Sequence, residues 1–235
     1  MKKIILGVFL LMSALSFAAG RKVPIEKMMV DDTTGIAYVQ GEKTPFTGTV
    51  EVKYDDGTVL ALMEVKNGLM EGTYKLLYPS GKTAIIATYK NGKTDGIQKE
   101  YYENGQIKME SLAKNNKKNG IGRSYSITGV LIAEIPFKDD EVDGTIKNYN
   151  EVTGKLETEG EFKNGKAEGT MKEYYPNGKV AIEEKCQNGL REGLTKSYYE
   201  DGSLEGERFY KNNNLEGINK IYHPNGKLAK IAVFK

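Results

Sequence analysis

The chain has 235 residues, with 34 Lys plus Arg against 32 Asp plus Glu, one His, one Cys and no Trp. Lys2 and Lys3 belong to a leader; without them 32 basic residues face 32 acidic ones, so bulk charge gives no pull towards nucleic acid or another polyanion. The single Cys and single His exclude an internal disulfide framework, a cysteine zinc site and any two-histidine metal site.

Met1 to Lys3 form a basic n-region and Ile4 to Leu15 an apolar h-region. Ser16-Phe17-Ala18 then puts small residues at the first and third positions of a cleavage site, the pattern of a secretory signal peptide. The apolar run is shorter than the roughly 20 residues that span a bilayer, and no Cys follows it for lipid attachment. Residues 1–18 are therefore expected to be removed. The rest would be extracytoplasmic (periplasmic, cell-surface or secreted) and not membrane-spanning after cleavage. Residues 19–45, with Val23, Ile25, Met28, Met29 and Val30, are expected to cap a repeat domain that fills residues 46–235.

That domain is one unit written eight times. A glycine opens each copy at Gly48, Gly72, Gly96, Gly120, Gly144, Gly169, Gly193 and Gly217, a spacing of 24 residues with one step of 25. A second glycine follows nine residues later: Gly57, Gly81, Gly105, Gly129, Gly154 (one residue later in the longer copy), Gly178, Gly202 and Gly226. A third column reads Gly68, Gly92, Asn116, Asp140, Gly165, Gly189 and Asn213, residues that tolerate positive φ. Each copy thus has two extended runs and two reversals. Pro79, Pro176 and Pro224 stand two residues before the second glycine, as in a type I turn closed by a left-handed glycine. The fold class expected is all-β: an up-and-down meander of about sixteen short antiparallel strands, forming an elongated, curved single-layer sheet.

With that turn, simple alternation puts odd offsets from the first glycine on one face and even offsets on the other. The odd face then carries Tyr101, Tyr125, Tyr149, Tyr174, Tyr198 and Tyr222 at offset 5, and Lys99, Arg123, Lys147, Lys172, Lys196 and Lys220 at offset 3. An aromatic column at offset 17, including Tyr89, Phe137, Phe162 and Tyr210, joins them there. The even face carries Glu110, Glu134, Glu159, Glu183 and Glu207 at offset 14. In the first two copies the even positions are apolar (Val50, Val52, Leu60, Leu62, Leu76, Ile86), which is the surface a cap would cover.

Units such as Tyr89-Lys-Asn-Gly-Lys-Thr-Asp-Gly96 and Phe162-Lys-Asn-Gly-Lys-Ala-Glu-Gly169, each followed by Tyr-Tyr-x-Asn-Gly, resemble the bacterial variant of the MORN repeat. The resemblance spans residues 46–235. It implies hairpins in one curved antiparallel layer and a binding or scaffolding role without chemistry. Many bacterial proteins with this repeat are antitoxins of the YwqK type; the export signal departs from that pattern. Copies four and five are degraded, with Ser126-Ile127-Thr128 and Asn150-Glu151-Val152-Thr153 at the turn.

Residues able to carry chemistry stand alone. His223 replaces a Tyr, and Cys186 falls in the aromatic column as a small hydrophobe. Asp139-Asp140-Glu141-Val142-Asp143-Gly144 opens like a calcium loop but has Glu at its third position and Asn150 at its twelfth. No catalytic residue, metal site or cofactor is assigned, and the protein is read as a non-enzyme. An outer-membrane barrel is excluded because neither face is uniformly lipophilic.

The function expected is that of an exported module which binds a protein or cell-surface component through its sheet; the alternative is an antitoxin-like neutraliser of a partner toxin. Partner contacts are assigned to the Lys/Arg and Tyr columns at offsets 3 and 5, weighed against a purely structural ladder. Ile231, Val233 and Phe234 of the last strand are assigned to edge pairing, with a partner strand or a second copy in a homodimer. N-terminal sequencing of protein from the native host is expected to return Ala19; recovery of Met1 would remove the export reading.

Overall fold

The computed structural model describes residues 20–235; the predicted signal and Ala19 lie outside them. The chain opens with β1 (Lys22–Pro24), a 3-10 turn (Ile25–Lys27), β2 (Met28–Val30) and β3 (Ala37–Val39). The first four hairpins are β4 (Gly48–Lys53) with β5 (Val59–Lys66), β6 (Leu69–Leu77) with β7 (Thr83–Lys90), β8 (Lys93–Tyr101) with β9 (Ile107–Lys114), and β10 (Lys117–Tyr125) with β11 (Leu131–Lys138). The last four are β12 (Glu141–Val142) and β13 (Gly144–Tyr149) with β14 (Leu156–Lys163), β15 (Lys166–Tyr174) with β16 (Val180–Gln187), β17 (Leu190–Arg191) and β18 (Gly193–Tyr198) with β19 (Leu204–Lys211), and β20 (Asn214–Leu215) and β21 (Gly217–Tyr222) with β22 (Leu228–Phe234). Three of the sixteen predicted strands are therefore each interrupted by one residue, and the meander stands as expected. Every neighbour pairing from β4 to β22 is antiparallel, the sheet does not close into a barrel, and β1 lies parallel to β4 at one edge. Sixteen strand positions at about 4.8 Å make a layer roughly 80 Å across.

Both reversals follow from residues with positive φ. Asn67 and Gly68, at 51° and 79°, form the two-residue turn between β5 and β6, and Asn91-Gly92, Asn115-Asn116, Asp139-Asp140, Asn164-Gly165, Asn188-Gly189 and Asn212-Asn213 repeat it. Two consecutive left-handed residues are what a type I′ hairpin turn requires. Asp139 and Asp140 are thus turn residues. At the other reversal the Gly57 N–H donates to the Tyr54 carbonyl at 2.9 Å, and Gly81 repeats this to Tyr78 at 2.8 Å.

The expected register holds for one pair beyond this turn and then shifts. Lys53 faces Val59, but Val52 faces Ala61, so Leu60 is an extra residue. The same bulge recurs in all eight hairpins, as between Glu100 and Tyr101 or Ser197 and Tyr198. One inserted residue turns the rest of the returning strand over. Offset 14 consequently joins offsets 3 and 5 on one face, the ladder face, while offset 17 moves to the far face opposite the opening glycine. The odd–even assignment is corrected accordingly.

Among the described residues no second layer covers the sheet. The buried apolar side chains among the described residues are few, and the only cluster of them lies at the N-terminal end. There Val23, Val39 and Phe46 pack on Val50 and Val65, with Met28 and Met63 against them. Val50, Met63 and Val65 all belong to the far face. The apolar even positions of the first two copies are therefore split by the bulge, and Leu62 and Ile86 lie on the ladder face.

Gly68 and Gly81 share a φ of 79° but not their surroundings. A Cβ on Gly68 would meet Ile36 and stand 2.9 Å from the Ala37 carbonyl oxygen, whereas one on Gly81 would meet nothing within 4 Å. Both Ala substitutions carry the left-handed penalty of about 1–2 kcal/mol. Gly68→Ala is expected to lose about 2 kcal/mol more than Gly81→Ala in urea unfolding, because backbone must move to admit the methyl. Equal losses would mean that residues 36 and 37 do not hold this turn.

Candidate functional site

The correction of register assembles the site. Lys99 faces Glu110, which also faces Arg123; Arg123 faces Glu134, and Glu134 faces Lys147. The row continues through Glu159, Lys172, Glu183, Lys196, Glu207 and Lys220. Eleven alternating charges thus run perpendicular to the strands, each acid between two bases. Opposite charges directly across antiparallel strands are favourable neighbours. The closest contacts are Arg123 Nε to Glu134 at 2.9 Å and Lys99 Nζ to Glu110 at 3.2 Å, followed by Lys220 to Glu207 at 3.6 Å and Lys172 to Glu159 at 4.0 Å. The row ends in Leu62 and Ile86 on one side, about Lys75, and in Ile231 opposite Lys220 on the other.

The tyrosines at offset 5 bind the same acids. Tyr125, Tyr149, Tyr174 and Tyr222 donate their hydroxyls to Glu110, Glu134, Glu159 and Glu207 of the preceding copy, at 2.9, 3.1, 2.6 and 3.0 Å. Tyr101 has no such bond because the preceding copy has Ile86 in place of the acid. Tyr198 occupies the equivalent place over Glu183 without a hydroxyl bond. The Lys/Arg and Tyr columns are therefore brought together as expected, and the Glu column predicted for the opposite face ties them into one plane.

These contacts set the charges. The Arg123 guanidinium holds the Glu134 carboxyl below its usual range, and Tyr149 adds to the effect. Burial pushes Glu110 up, but bonds from Tyr125 and Lys99 outweigh it and the net direction is down. For Tyr174, burial first, then the bond to Glu159 and the charges of Glu159 and Glu183, push the phenol up to about 12.

A second tyrosine column, at offset 6, was not singled out in the sequence although the Tyr-Tyr pairs display it. Tyr78, Tyr102, Tyr175 and Tyr199 donate to the backbone carbonyls of Tyr101, Tyr125, Tyr198 and Tyr222 in the following copy, at 2.6 to 2.9 Å. Tyr54 does the same to Leu77 at 3.3 Å. At the other margin, the acid before an opening glycine accepts a turn N–H of the next copy: Glu71 from Asn91, Glu168 from Asn188 and Glu192 from Asn212. His223 and Cys186 stay structural in their settings, with the His223 carbonyl accepting the Gly226 N–H and burial pushing the Cys186 thiol up.

Beside the ladder a mixed row exposes apolar side chains at two stations. Ile97 faces Leu112, with Ile121 in the next copy; Leu194 faces Phe209, and Ile218 faces Val233. Of the edge candidates, Ile231 and Val233 are 53% and 67% exposed on the ladder face, and Phe234 is 40% exposed on the far face.

The described residues form a single-layer repeat sheet with an alternating charge row along one face. The family described as MORN repeat variant matches residues 70–91, 94–115, 167–186, 191–212 and 215–235. These five segments cover a little under half of the chain and are similar to MORN-variant repeats. The unmatched stretch between them holds the degraded copies four and five. No curated protein matches the chain. Among solved structures, a point mutant of S. aureus TarM in complex with fondaparinux, alpha-GlcNAc-glycerol and UDP is 16% identical over 46% of this chain and 21% of its own, with a TM-score of 0.32. A second TarM structure is 21% identical over 52% and 21%, with a TM-score of 0.25. The TcdB2-TccC3-Cdc42 assembly is 16% identical over 77% and 11%, with a TM-score of 0.22. The chain spans about a fifth or less of the length of these proteins.

Tyr174 gives a pH test. Its folded pKa lies above the ordinary value of 10.0, so the stabilisation is complete below pH 10 and is lost as pH rises towards about 12, where the unfolded phenol ionises first. Unfolding followed across this window should steepen with pH in the wild type and flatten in Tyr174→Phe. Identical slopes would show that the phenol is not held by Glu159.

Proposed function

We propose that the protein is an exported, non-enzymatic module that binds a partner protein on its ladder face. The observation that carries this reading is the combination on that face of a charge row fixed by cross-strand pairing with two stations of exposed apolar side chains. Ile97, Leu112 and Ile121 form one station and Leu194, Phe209, Ile218 and Val233 the other. Contiguous apolar surface rimmed by polar groups is characteristic of protein contact sites, and MORN repeats generally serve as protein- or membrane-binding modules. The ladder's own pairing makes it a rigid template. Its charges are already neutralised, so it contributes orientation and discrimination more than net attraction, while the apolar stations supply the burial.

The test compares two surface variants as bait for proteins of the native host's envelope and medium. Leu112→Lys with Ile121→Lys alters one station, and Ser111→Lys alters the far face. The ladder-face variant should lose at least about tenfold in affinity for the recovered partner, about 1.4 kcal/mol, while the far-face variant retains it. Equal binding by both, with unchanged melting, would place the contact elsewhere.

A further inference from the structure

On the far face, near the C-terminal end, the sheet holds cations and amide donors that no acid answers. Arg208 on β19 faces Thr195 on β18. The neighbouring position on the same face of β19 is Gly206, where a Cβ would stand 3.0 Å from the Ser197 hydroxyl oxygen and 3.9 Å from the Arg208 Cζ. The missing side chain leaves the guanidinium room beside the strand. Its one protein hydrogen bond is a long one, 3.5 Å from Nη1 to the Ser197 hydroxyl. Neither Arg208 nor Lys230 has an ion-pair partner among the described residues. Glu184 pairs with Arg191 at 2.9 Å and Glu216 with Lys211 at 3.7 Å, Glu207 is turned to the ladder face with Tyr222 and Lys220, and Glu205 makes no ion pair with either cation.

Asn219 supplies the independent observation. It is only 7% exposed, and its Oδ1 accepts the Phe209 N–H at 2.9 Å. That bond fixes the amide's orientation, because the N–H needs an acceptor and the NH2 end cannot serve. The Nδ2 is left buried without a partner, alone among the buried side-chain polar atoms of the described residues. A buried donor without an acceptor is costly to keep. Asn219 and Arg208 line one cavity of about 130 Å3, together with Lys230 and the apolar Ile221, Ala232 and Phe234.

We infer that this cavity is a binding site for a carboxylate carried on a small apolar group, either a free ligand or an acidic side chain of another protein. The polar residues that line the cavity, Arg208, Asn219, Lys220 and Lys230, can all donate, and none is an acid. The planar guanidinium fork suits the two oxygens of a carboxylate. The Asn219 amide supplies a further donor, and Phe234 and Ile221 give the ligand's carbon atoms a wall. The site lies on the face opposite the ladder, so it does not rest on the partner reading above.

The test uses the full chain with 15N label, titrated with isobutyrate, with the neutral isostere isobutyramide and with inorganic phosphate. The side-chain amide of Asn219 and the Nε–H of Arg208 should shift saturably with isobutyrate and at least tenfold more weakly with isobutyramide or phosphate. Arg208→Gln should abolish the isobutyrate shift. Asn219→Asp keeps an acceptor for the Phe209 N–H while removing the donor, and should abolish it too. A short peptide containing Glu, against the same peptide with Gln, distinguishes a protein source from a free ligand: tighter binding than isobutyrate means the former, equal or weaker binding the latter. No saturable shift, or equal response to isobutyrate and isobutyramide, overturns the site. So does phosphate binding that survives Asn219→Asp. The comparison of ligands on the wild type decides the matter even if a variant fails to fold.

Discussion

The interaction on which the rest of this structure depends is the hydrogen bond from one hairpin to the next at the margins of the sheet. With no second layer among the described residues, burial cannot hold the stack together; the apolar cluster covers only its N-terminal end. At one margin the offset-6 tyrosines reach forward to a backbone carbonyl of the following copy. At the other, turn N–H groups reach back to the acid before a glycine. A net bond of this kind contributes about 0.5–1.5 kcal/mol, and stability in such an array is a sum of repeat and neighbour contributions. The stitching thus does for this sheet what a core does for a sandwich.

Between the margins, the bulge decides what each face is. One extra residue per hairpin brings acid, base and phenol into a common plane, where each Glu faces two cations and, in four copies, accepts a tyrosine hydroxyl. The arrangement satisfies itself, which explains how a chain so rich in charge can stay in one layer. The same self-sufficiency leaves the neighbouring apolar stations as the part of that face without internal partners.

Copies four and five show the rule by departing from it. Ser126 and Asn150 stand where other copies have the stitching tyrosine. Ser126 closes its own turn instead, its hydroxyl accepting the Val130 N–H at 3.1 Å, and Asn150 accepts the N–H groups of Val152 and Thr153. Local turn bonds replace the tyrosine bonds between copies at this margin, while at the other the Asp139 N–H still reaches the Asn119 amide oxygen at 3.3 Å. The family pattern leaves this stretch unmatched, as it does the first hairpin.

The number of hairpins and the places where the chain turns were legible in the sequence, because glycine, asparagine and aspartate recur at fixed intervals and leave the chain little choice. The sequence by itself also determined that Lys99 and Tyr101, or Lys172 and Tyr174, share a face, since alternation within one strand needs no partner. Only the tertiary structure decided that Glu110 and Glu159 join them. The bulged residue bears no mark of its own: Leu60, Lys108, Ile132 and Glu205 have nothing in common. Whether a strand inserts a residue depends on how two strands pair, and that pairing is a property of the assembled sheet. The orphaned Asn219 amide was illegible for the same reason, because its burial and its lack of an acceptor are set by neighbours on other strands.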